Sequence, residues 1–312
     1  MNKSPAVSIV MAAKNYAKFL PAAVDSVFAQ SFTDWELIII DDGSTDATPA
    51  AVKPYLADAR VRCLRSDKLG QSRAKNLGAA FARGDVIAYL DADDVWLPTK
   101  LEKQMHILRE NPAVGVCFTL RTLIDEKGNT LPTSPVPTPP RGDVLEPIFL
   151  KNFVCFSSVM VRRQVFDHIG SFDPEWDLSI DYDLWLRVAA HYEFDYVNEP
   201  LVQYRTGHGN LSQKLSDRVA TAISIMTRAV FRRGLVAKLD PATVAEGYAS
   251  TCRTLGYVMR DSEPRTAAKW YLNALARPGK RMLALRGLVA CALVAIRNKR
   301  TTGSAENASV NV

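Results

Sequence analysis

The first part of the chain alternates short apolar runs with segments of helical spacing. Val7–Met11, Glu36–Ile40 and Val86–Leu90 are short runs rich in β-branched residues, which is typical of buried strands. Between the first two runs, apolar residues recur at the spacing of one helix face: Phe19, Leu20, Ala23, Val24, Val27 and Phe28. This alternation continues to about Phe118 and predicts an α/β fold with a mainly parallel sheet flanked by helices.

The rest of the chain changes its pattern twice. Five prolines between Leu131 and Arg141 predict an exposed loop, and a strand is expected over Ser157–Val161. The following pattern predicts one helix over Arg163–Ile169, ended by Gly170, and another over Tyr182–His191. After Leu215 the pattern is helical, with breaks at Asp240-Pro241 and Glu263-Pro264. We therefore expect an α/β domain over residues 1–215 and a helical appendage over 216–312.

Two of the strand-like runs end in clusters of carboxylates. Glu36–Ile40 leads into Asp41 and Asp42, and Val86–Leu90 leads into three acids: Asp91, Asp93 and Asp94. Strand ends of open α/β sheets bind ligands, and crowded carboxylates there need a cation. A hard divalent ion carrying substrate phosphates meets that need, so the pattern predicts a nucleotide-diphosphate site. The alternative is that acids of the second cluster cap a helix beginning near Pro98, the favoured role for Asp94.

Composition and cysteine usage indicate the compartment. The chain has 312 residues, 47% of them hydrophobic, and can bury a substantial core. Its five cysteines are scattered without a Cys-x-x-Cys pair, which favours a reducing cytoplasm over a disulfide framework. Met1–Pro5 leads directly into a strand-like run without a signal-peptide pattern, so we expect a cytoplasmic protein.

Positive charge is concentrated near the end of the sequence. The net charge is +6, and the stretch 279–300 carries six basic residues and no acid. The α/β region lacks a basic face with stacking aromatics, so nucleic-acid binding is not expected. Met282–Ile296 is apolar except for Arg286 and is too short to cross a bilayer comfortably. Attachment to an anionic inner leaflet and packing on the catalytic domain both remain open, and Thr301–Val312 is predicted to be disordered.

Nine segments together resemble the inverting family 2 glycosyltransferases, whose fold is called GT-A. The resemblance spans roughly the first two-thirds of the chain, and the order and spacing of the segments make it specific. The segments are Ser8–Asn15, Ser26–Phe32, Glu36–Asp46, Gly70–Gly78, Gly84–Trp96, Gly170–Asp173, Asp181–Arg187, Tyr204–Arg205 and His208.

The resemblance implies a donor site at the first three turns. It assigns Asp91 to the nucleotide sugar and Asp42 to the nucleobase, where a carboxylate can accept a uracil or thymine N–H. Asp41 and Asp46 are better suited to closing the turn. The base-binding segment is Ala12, Lys14 and Asn15, with Lys14 at a position often held by Tyr. Tyr16 is expected to begin the following helix and therefore not to replace that missing ring.

The resemblance also implies a cation and a group that faces the diphosphate. Asp93 corresponds to the acid that coordinates Mn²⁺ or Mg²⁺, and His208 resembles a family histidine near the metal or diphosphate. Lys75 stands where the family usually has Arg, with Arg73 as a second candidate. A solvated helix face is the alternative for Lys75, and a plain surface position for His208.

The catalytic base implied by the resemblance is Asp181. An acidic pair precedes this helix in the family; here Ile180 replaces the first acid and Asp181 retains the second. One alternative is that Asp181 only caps the helix, and another is that Asp183 is the base.

The sequence gives less support to the competing functions. A nucleotidyltransferase or a Rossmann dehydrogenase needs a glycine-rich turn after the first strand, and Met11–Phe19 contains no glycine. A catalytically degenerate sugar-nucleotide-binding partner is opposed by retention of Asp91, Asp93 and Asp181. Processive synthases need several transmembrane helices and a Gln-x-x-Arg-Trp motif, which this chain lacks.

The sequence thus predicts a non-processive, metal-dependent inverting hexosyltransferase of cell-surface polysaccharide synthesis. The expected donor is a nucleotide-diphosphate sugar, with a UDP-sugar favoured, and the expected acceptor is a glycan or polyprenyl-linked precursor. We expect the protein in the cytoplasm, with peripheral attachment at the inner face of the plasma membrane as one of the two open roles of its last helix.

Overall fold

The computed structural model describes residues 4–133, 137–209, 214–278 and 280–308, with side chains described as far as Ala295. The chain forms two compact units. The first comprises residues 1–148 and 152–213, and the second comprises 149–151 and 214–312.

The first unit is built on one mixed sheet with the strand order β3-β2-β1-β4-β7-β6-β8-β5. Its strands are β1 Val7–Ala13, β2 Trp35–Asp42, β3 Val61–Ser66, β4 Val86–Tyr89, β5 Val95–Trp96, β6 Val114–Ile124, β7 Met160–Arg162 and β8 Glu193–Arg205. Strands β3, β2, β1 and β4 are parallel, and β7 is antiparallel to both β4 and β6. The predicted α/β fold is confirmed: β1, β2 and β4 are the runs that the sequence identified, and β3 is a further parallel strand that it did not.

Helices cover the sheet because its central strands are apolar on both faces. Every residue of β2 is buried, as expected for a parallel strand between helix layers. The helices are α1 Leu20–Phe28, α2 Thr48–Val52, α3 Gln71–Phe81, α4 Lys100–Glu110, α5 Leu145–Leu150, α6 Arg163–Ile169 and α7 Ile180–Ala189. Helix α3 lies close to β1 because Gly78 has no side chain; a Cβ there would lie 2.4 Å from Val10 Cγ1.

The strand register brings three strand ends to the same edge of the sheet. Ala13 pairs with Asp41 on one side of β1, while Val10 pairs with Tyr89 on the other. The turns after β1, β2 and β4 are therefore neighbours, and the two acidic clusters that follow β2 and β4 meet on either side of the β1 turn.

Several local predictions need correction. Phe156–Ser158 is a 3₁₀ turn and the strand begins at Met160, so the strand expected over Ser157–Val161 is displaced. Helix α7 begins at Ile180, two residues before the predicted start. Gly170, at φ +79°, ends α6 as predicted. Residues 131–133 and 137–141 lie outside helices and strands, as expected of the proline-rich loop; 134–136 lie outside the described residues.

The second unit is helical. Its helices are α8 Leu215–Thr227, which a π-helical turn over Arg228–Arg232 continues, α9 Pro241–Met259, α10 Pro264–Leu275 and α11 Arg281–Ala308. Asp240 caps α9 by accepting hydrogen bonds from the N–H groups of Ala242 and Thr243, and α10 begins at Pro264, so both predicted breaks are confirmed. Its core cluster is Cys252, Ala267, Tyr271, Ala274, Ala284 and Cys291.

The last helix is longer than the apolar run that predicted it. Helix α11 continues to Ala308, so the expectation of disorder from Thr301 is wrong as far as that residue, and 309–312 lie outside the described residues. Within the described parts of the chain, no helix combines the length and apolarity that crossing a membrane requires.

Candidate active site

A cavity of about 360 Å³ opens at the edge of the sheet where β1, β2 and β4 end. Its walls are those three turns, the first turns of α3, and single residues from the α6–α7 segment and β8. The lining residues are Ala12, Ala13, Lys14, Tyr16, Asp42, Gly70, Gln71, Ala74, Lys75, Asp91, Ala92, Asp93, Asp177 and Tyr204. Six of the predicted site residues are among them.

The acidic turn after β4 gives its three carboxylates different surroundings. The Asp91 side chain is partly exposed, and its Oδ1 lies 3.1 Å from Lys75 Nζ. Asp93 is buried, with its Oδ2 2.8 Å from His208 Nε2. Asp94 is also buried, and its Oδ1 accepts the backbone N–H of Arg205 at 2.8 Å. The expectation that Asp94 caps the next helix is wrong, because α4 begins at Lys100 with Thr99 at its N-cap position.

Crowding and burial make these carboxylates costly to ionise together. Burial and the charge of Asp91 raise the pKa of Asp93 to about 6. Burial, with the charges of Asp93 and Asp91, raises the pKa of Asp94 well above its usual value. Burial and the same acids raise the pKa of the Tyr16 phenol, which therefore remains protonated at neutral pH. A cation at this turn would relieve the repulsion, because it favours the ionised forms.

The pair of Asp93 and His208 fits a divalent cation. Imidazole nitrogen and carboxylate oxygen are both ligands for Mn²⁺. His208 Nδ1 is buried without a hydrogen-bond partner among the described residues, and the ring packs edge-on against Phe19 at 4.7 Å between centroids. In the part of the chain that is described, three or more His, Cys, Asp or Glu side chains nowhere converge as a metal site. A cation held here would take its other ligands from substrate oxygens and water.

Positive charge faces the acidic turn from α3. The Lys75 side chain is only 7% exposed, so the solvated-face interpretation is wrong, and its Nζ also lies 4.6 Å from the centre of the Phe156 ring. Gly70, at φ +83°, precedes α3, whose N-terminal turn forms part of the wall. A helix N-terminus and a buried ammonium together favour an anionic ligand. Arg73 is exposed and is not part of the wall.

Asp42 lines the cavity and also has a structural role. Its Oδ1 accepts from Ser66 Oγ at 2.8 Å and from the N–H of Leu69 at 2.6 Å, and its Oδ2 accepts from the N–H of Gly70 at 3.0 Å. These bonds fix the loop that leads into α3. Oδ2 retains capacity for a second hydrogen bond, since each carboxylate oxygen can accept two.

The turn after β1 differs from its prediction at two positions. Asn15, at φ +60°, is not part of the wall; its Oδ1 accepts the N–H of Thr45 at 2.8 Å and joins the β1 and β2 turns. Tyr16 lies before the start of α1 and lines the cavity, contrary to the expectation that it would begin the helix. Lys14 lines the cavity.

The two candidate bases differ in how they are held. Asp181 is half-buried in the first turn of α7, outside the cavity wall, and its Oδ2 accepts from Asn152 Nδ2 at 2.8 Å. Ser179 occupies the N-cap position of α7, so the helix-cap interpretation of Asp181 is wrong. Asp183 is buried and accepts from Arg187 Nε at 3.0 Å and from Trp176 Nε1 at 3.1 Å.

Polar residues of α3 hold the segment that brings Asp177 to the cavity. Asn76 Nδ2 donates to the carbonyl of Phe172 at 2.8 Å, and Ser72 Oγ donates to that of Trp176 at 2.7 Å. The sequence analysis missed this contribution. Its available signal was the presence of Ser72 and Asn76 at helix positions that packing would otherwise fill with apolar side chains.

Comparison with known proteins identifies a glycosyltransferase and gives its family. The family described as "Glycosyl transferase family 2" matches residues 8–170, more than half of the chain, and the protein belongs to this family.

Similar sequences are about one-third identical to this chain within the regions that align. An uncharacterized glycosyltransferase of Nostoc sp., alr2836, is 32% identical over 65% of this chain and 65% of its own length. The O-antigen biosynthesis glycosyltransferase WbnJ of Escherichia coli is 32% identical over 67% of this chain and 82% of its own. The putative glycosyltransferase EpsE of Bacillus subtilis is 32% identical over 60% of this chain and 68% of its own.

Solved structures share the fold at lower identity. Mannosyltransferase PcManGT from Pyrobaculum calidifontis, in complex with GDP-Man and Mn²⁺, superposes with a TM-score of 0.63 at 18% identity, covering 97% of this chain and 84% of its own. S. aureus TarS in complex with UDP-GlcNAc superposes with a TM-score of 0.59 at 13% identity, covering 94% and 91%. These likenesses concern the fold.

Proposed function

We propose that this protein is a metal-dependent, inverting, non-processive glycosyltransferase that transfers one sugar from a nucleotide-diphosphate sugar to a glycan or polyprenyl-linked acceptor. The carrying observation is one cavity whose wall contains Asp93, which is hydrogen-bonded to His208, together with the buried Lys75 and the N-terminal turn of α3. This arrangement suits a diphosphate bound together with a divalent cation. The O-antigen glycosyltransferase WbnJ supports a role in cell-surface polysaccharide synthesis.

The donor is assigned to the cavity by charge and hydrogen bonding. Asp42 Oδ2 accepts a nucleobase N–H, and Lys14 lies in the same wall. Asp91 binds the nucleotide sugar and Lys75 stabilises the diphosphate, because an ammonium with little access to water interacts strongly with an anion. A uracil base suits the carboxylate acceptor, so we favour a UDP-sugar, a donor type that TarS holds in its UDP-GlcNAc complex.

Asp93 and His208 are the proposed ligands of Mn²⁺ or Mg²⁺. The bound ion would neutralise charge that develops on the leaving diphosphate. His208 Nε2 already lies at hydrogen-bond distance from Asp93, so both side chains are positioned before a ligand arrives. PcManGT, in complex with GDP-Man and Mn²⁺, supports a metal in this fold.

Asp181 is the proposed general base. Asn152 fixes one carboxylate oxygen of Asp181. The other carboxylate oxygen would accept the proton of the acceptor hydroxyl while the hydroxyl oxygen attacks the anomeric carbon. A single attack from the face opposite the leaving diphosphate inverts the configuration. Asp183 is less suited, because Arg187 and Trp176 already bind its carboxylate.

The experiment is a panel of nucleotide sugars tested with purified protein, with Mn²⁺ and with excess chelator, scoring hydrolysis and transfer. We expect turnover of one donor group in Mn²⁺ and loss of turnover in chelator. Asp93→Asn should abolish it, whereas Glu110→Gln on exposed α4 should not. Undiminished transfer in chelator would reject metal dependence. Tight donor binding without turnover on any acceptor would favour the degenerate binding partner instead.

A further inference from the structure

Helix α11 is apolar around its whole circumference between Met282 and Ala295, apart from Arg286. One of its faces packs within the helical unit. Ala284 and Cys291 belong to the core cluster, and Gly287 lies so close to Tyr271 that a Cβ would come within 2.1 Å of the ring. At 100° per residue these three positions share one side of the helix.

The opposite side carries an exposed apolar stripe of Met282, Leu285, Val289 and Leu293. Met282, Val289 and Leu293 are each more than 60% exposed, and Leu285 is 46% exposed. The spacing of 3, 4 and 4 residues places the four side chains in one row of about 16 Å, since a helix rises about 1.5 Å per residue. A contiguous exposed row of this kind marks an interaction surface rather than scattered surface residues.

The charges around the stripe select its partner. Between residues 264 and 305 there is no Asp or Glu, and there are nine basic residues: Arg265, Lys269, Arg277, Lys280, Arg281, Arg286, Arg297, Lys299 and Arg300. Lys280 and Arg281 precede the stripe and are exposed, and Arg286 is exposed beside it. A second copy docking on this surface would bring two basic segments together, which opposes association. An anionic surface with an apolar interior matches both properties.

We propose that the outer face of α11 docks on an anionic lipid bilayer. The helix lies in the plane of the membrane, with the stripe in the boundary between headgroups and acyl chains and the basic side chains on lipid phosphates. Its inner face stays packed on Tyr271. The surface lies outside the donor cavity, so the proposal stands or falls independently of the sugar chemistry.

The test is flotation of the full chain with vesicles of phosphatidylcholine alone or with phosphatidylglycerol. We expect binding to the anionic vesicles that falls at least tenfold in 0.5 M NaCl. Val289→Asp combined with Leu293→Asp should abolish it without lowering the melting temperature, since both side chains are exposed. Leu56→Asp and Val236→Asp, at sites 47% and 55% exposed outside α11, are the matched controls and should bind normally.

A charge variant separates the electrostatic contribution. Lys280→Gln, Arg281→Gln and Arg286→Gln together should weaken binding to anionic vesicles about 100-fold at low salt. Equal binding to neutral and anionic vesicles, or full binding by the Val289/Leu293 double variant, would overturn the proposal. A dimer in light scattering that the double variant abolishes, with no vesicle binding by the wild type, would assign the stripe to a second copy instead.

Discussion

Asp181 and Asp183 lie two residues apart on α7, yet their surroundings predict opposite consequences of the same substitution. Asp181 is half-buried and accepts a hydrogen bond from Asn152 at 2.8 Å, whereas Asp183 is buried and binds Arg187 and Trp176. The first carboxylate can serve the reaction, while the second stabilises the segment around the helix.

Asp181→Asn should lower transfer by roughly two to four orders of magnitude while donor affinity persists. The amide keeps the shape of the side chain and removes its basicity, and a base acts in the transition state without holding the donor. Donor affinity measured by calorimetry should therefore stay near the wild-type value, while the rate of product formation falls. Nearly full activity would place the base elsewhere.

Asp183→Asn should reduce stability first. It leaves the largely buried Arg187 without its carboxylate, and breaking such a pair costs up to about 3–5 kcal/mol. Thermal unfolding should show a melting temperature lower by roughly 5 °C or more, with activity per folded molecule reduced less than in Asp181→Asn. A dead but fully stable Asp183→Asn would transfer the base assignment to Asp183.

Lys100 offers a pH-dependent prediction away from the cavity. The side chain is fully buried, its Nζ donates to Gln104 Oε1 at 2.7 Å, and burial lowers its pKa to about 7. Between this value and the unfolded value near 10.5, only the unfolded chain holds the proton, so the stability of the native state rises with pH. Below pH 7 both states are protonated and the effect is constant.

The free energy of unfolding of the wild type minus that of Lys100→Met should therefore rise between pH 7 and 10, by about 1.4 kcal/mol per unit. Urea unfolding of both proteins at several pH values measures this difference in free energy. Subtracting the two values cancels the contributions of most other titrating groups, which both proteins share. Lys103→Met, whose side chain is 39% exposed, is the control and should give a flat difference. Parallel curves for wild type and Lys100→Met would contradict the prediction.

At the scale of elements, α3 connects packing with the site. Its Gly78 allows close contact with β1, while its N-terminal turn and Lys75 form the cavity wall. A change in the depth at which this helix packs should therefore affect both stability and donor binding.

Gly78→Ala should lower stability by about 1–3 kcal/mol, because the new Cβ would overlap Val10 Cγ1 in a buried layer. Displacement of α3 should also raise the donor dissociation constant. Ala80→Ser, on the exposed side of the same helix, is the control and should change neither quantity appreciably. Unfolding by urea and calorimetry with the donor measure the two effects, and wild-type values for Gly78→Ala would show that the layer absorbs the extra methyl.

The sequence predicted the elements whose pattern is local. Strands β1, β2 and β4 are apolar runs that end in polar turns, and parallel connection then brings Asp42, Asp91 and Asp93 together without further information. Contacts that depend on distant parts of the chain were missed. Arg205, buried against the backbone of Asp93, gives no local signal of its partner. The polar Ser72 of α3 indicates a buried contact but does not identify the carbonyl of Trp176 as its partner. Asn15 and Tyr16 were misassigned because turn geometry decides which of two adjacent side chains enters the cavity.

At the scale of the whole molecule, the positive charge is segregated. The nine basic residues between 264 and 305 leave 30 basic against 33 acidic residues in the rest of the chain, so the net charge of +6 comes from this segment. Separation of charge in this way directs electrostatic attraction to one segment and leaves the remainder slightly acidic. A donor cavity and a basic, apolar helix are then suited to an acceptor that is itself anchored in an anionic membrane.

Transfer to a polyprenyl-linked acceptor in anionic vesicles should therefore depend on α11, whereas transfer to a water-soluble acceptor analogue should not. Docking confines enzyme and acceptor to one surface and raises their effective concentration. Val289→Asp with Leu293→Asp should lower the vesicle rate at least tenfold at sub-saturating acceptor and leave soluble transfer and donor hydrolysis unchanged. Steady-state rates on both acceptors, with Val236→Asp as control, measure this. Equal losses on both acceptors would place the effect in the catalytic unit, and no loss on either would show that α11 does not contribute to acceptor capture.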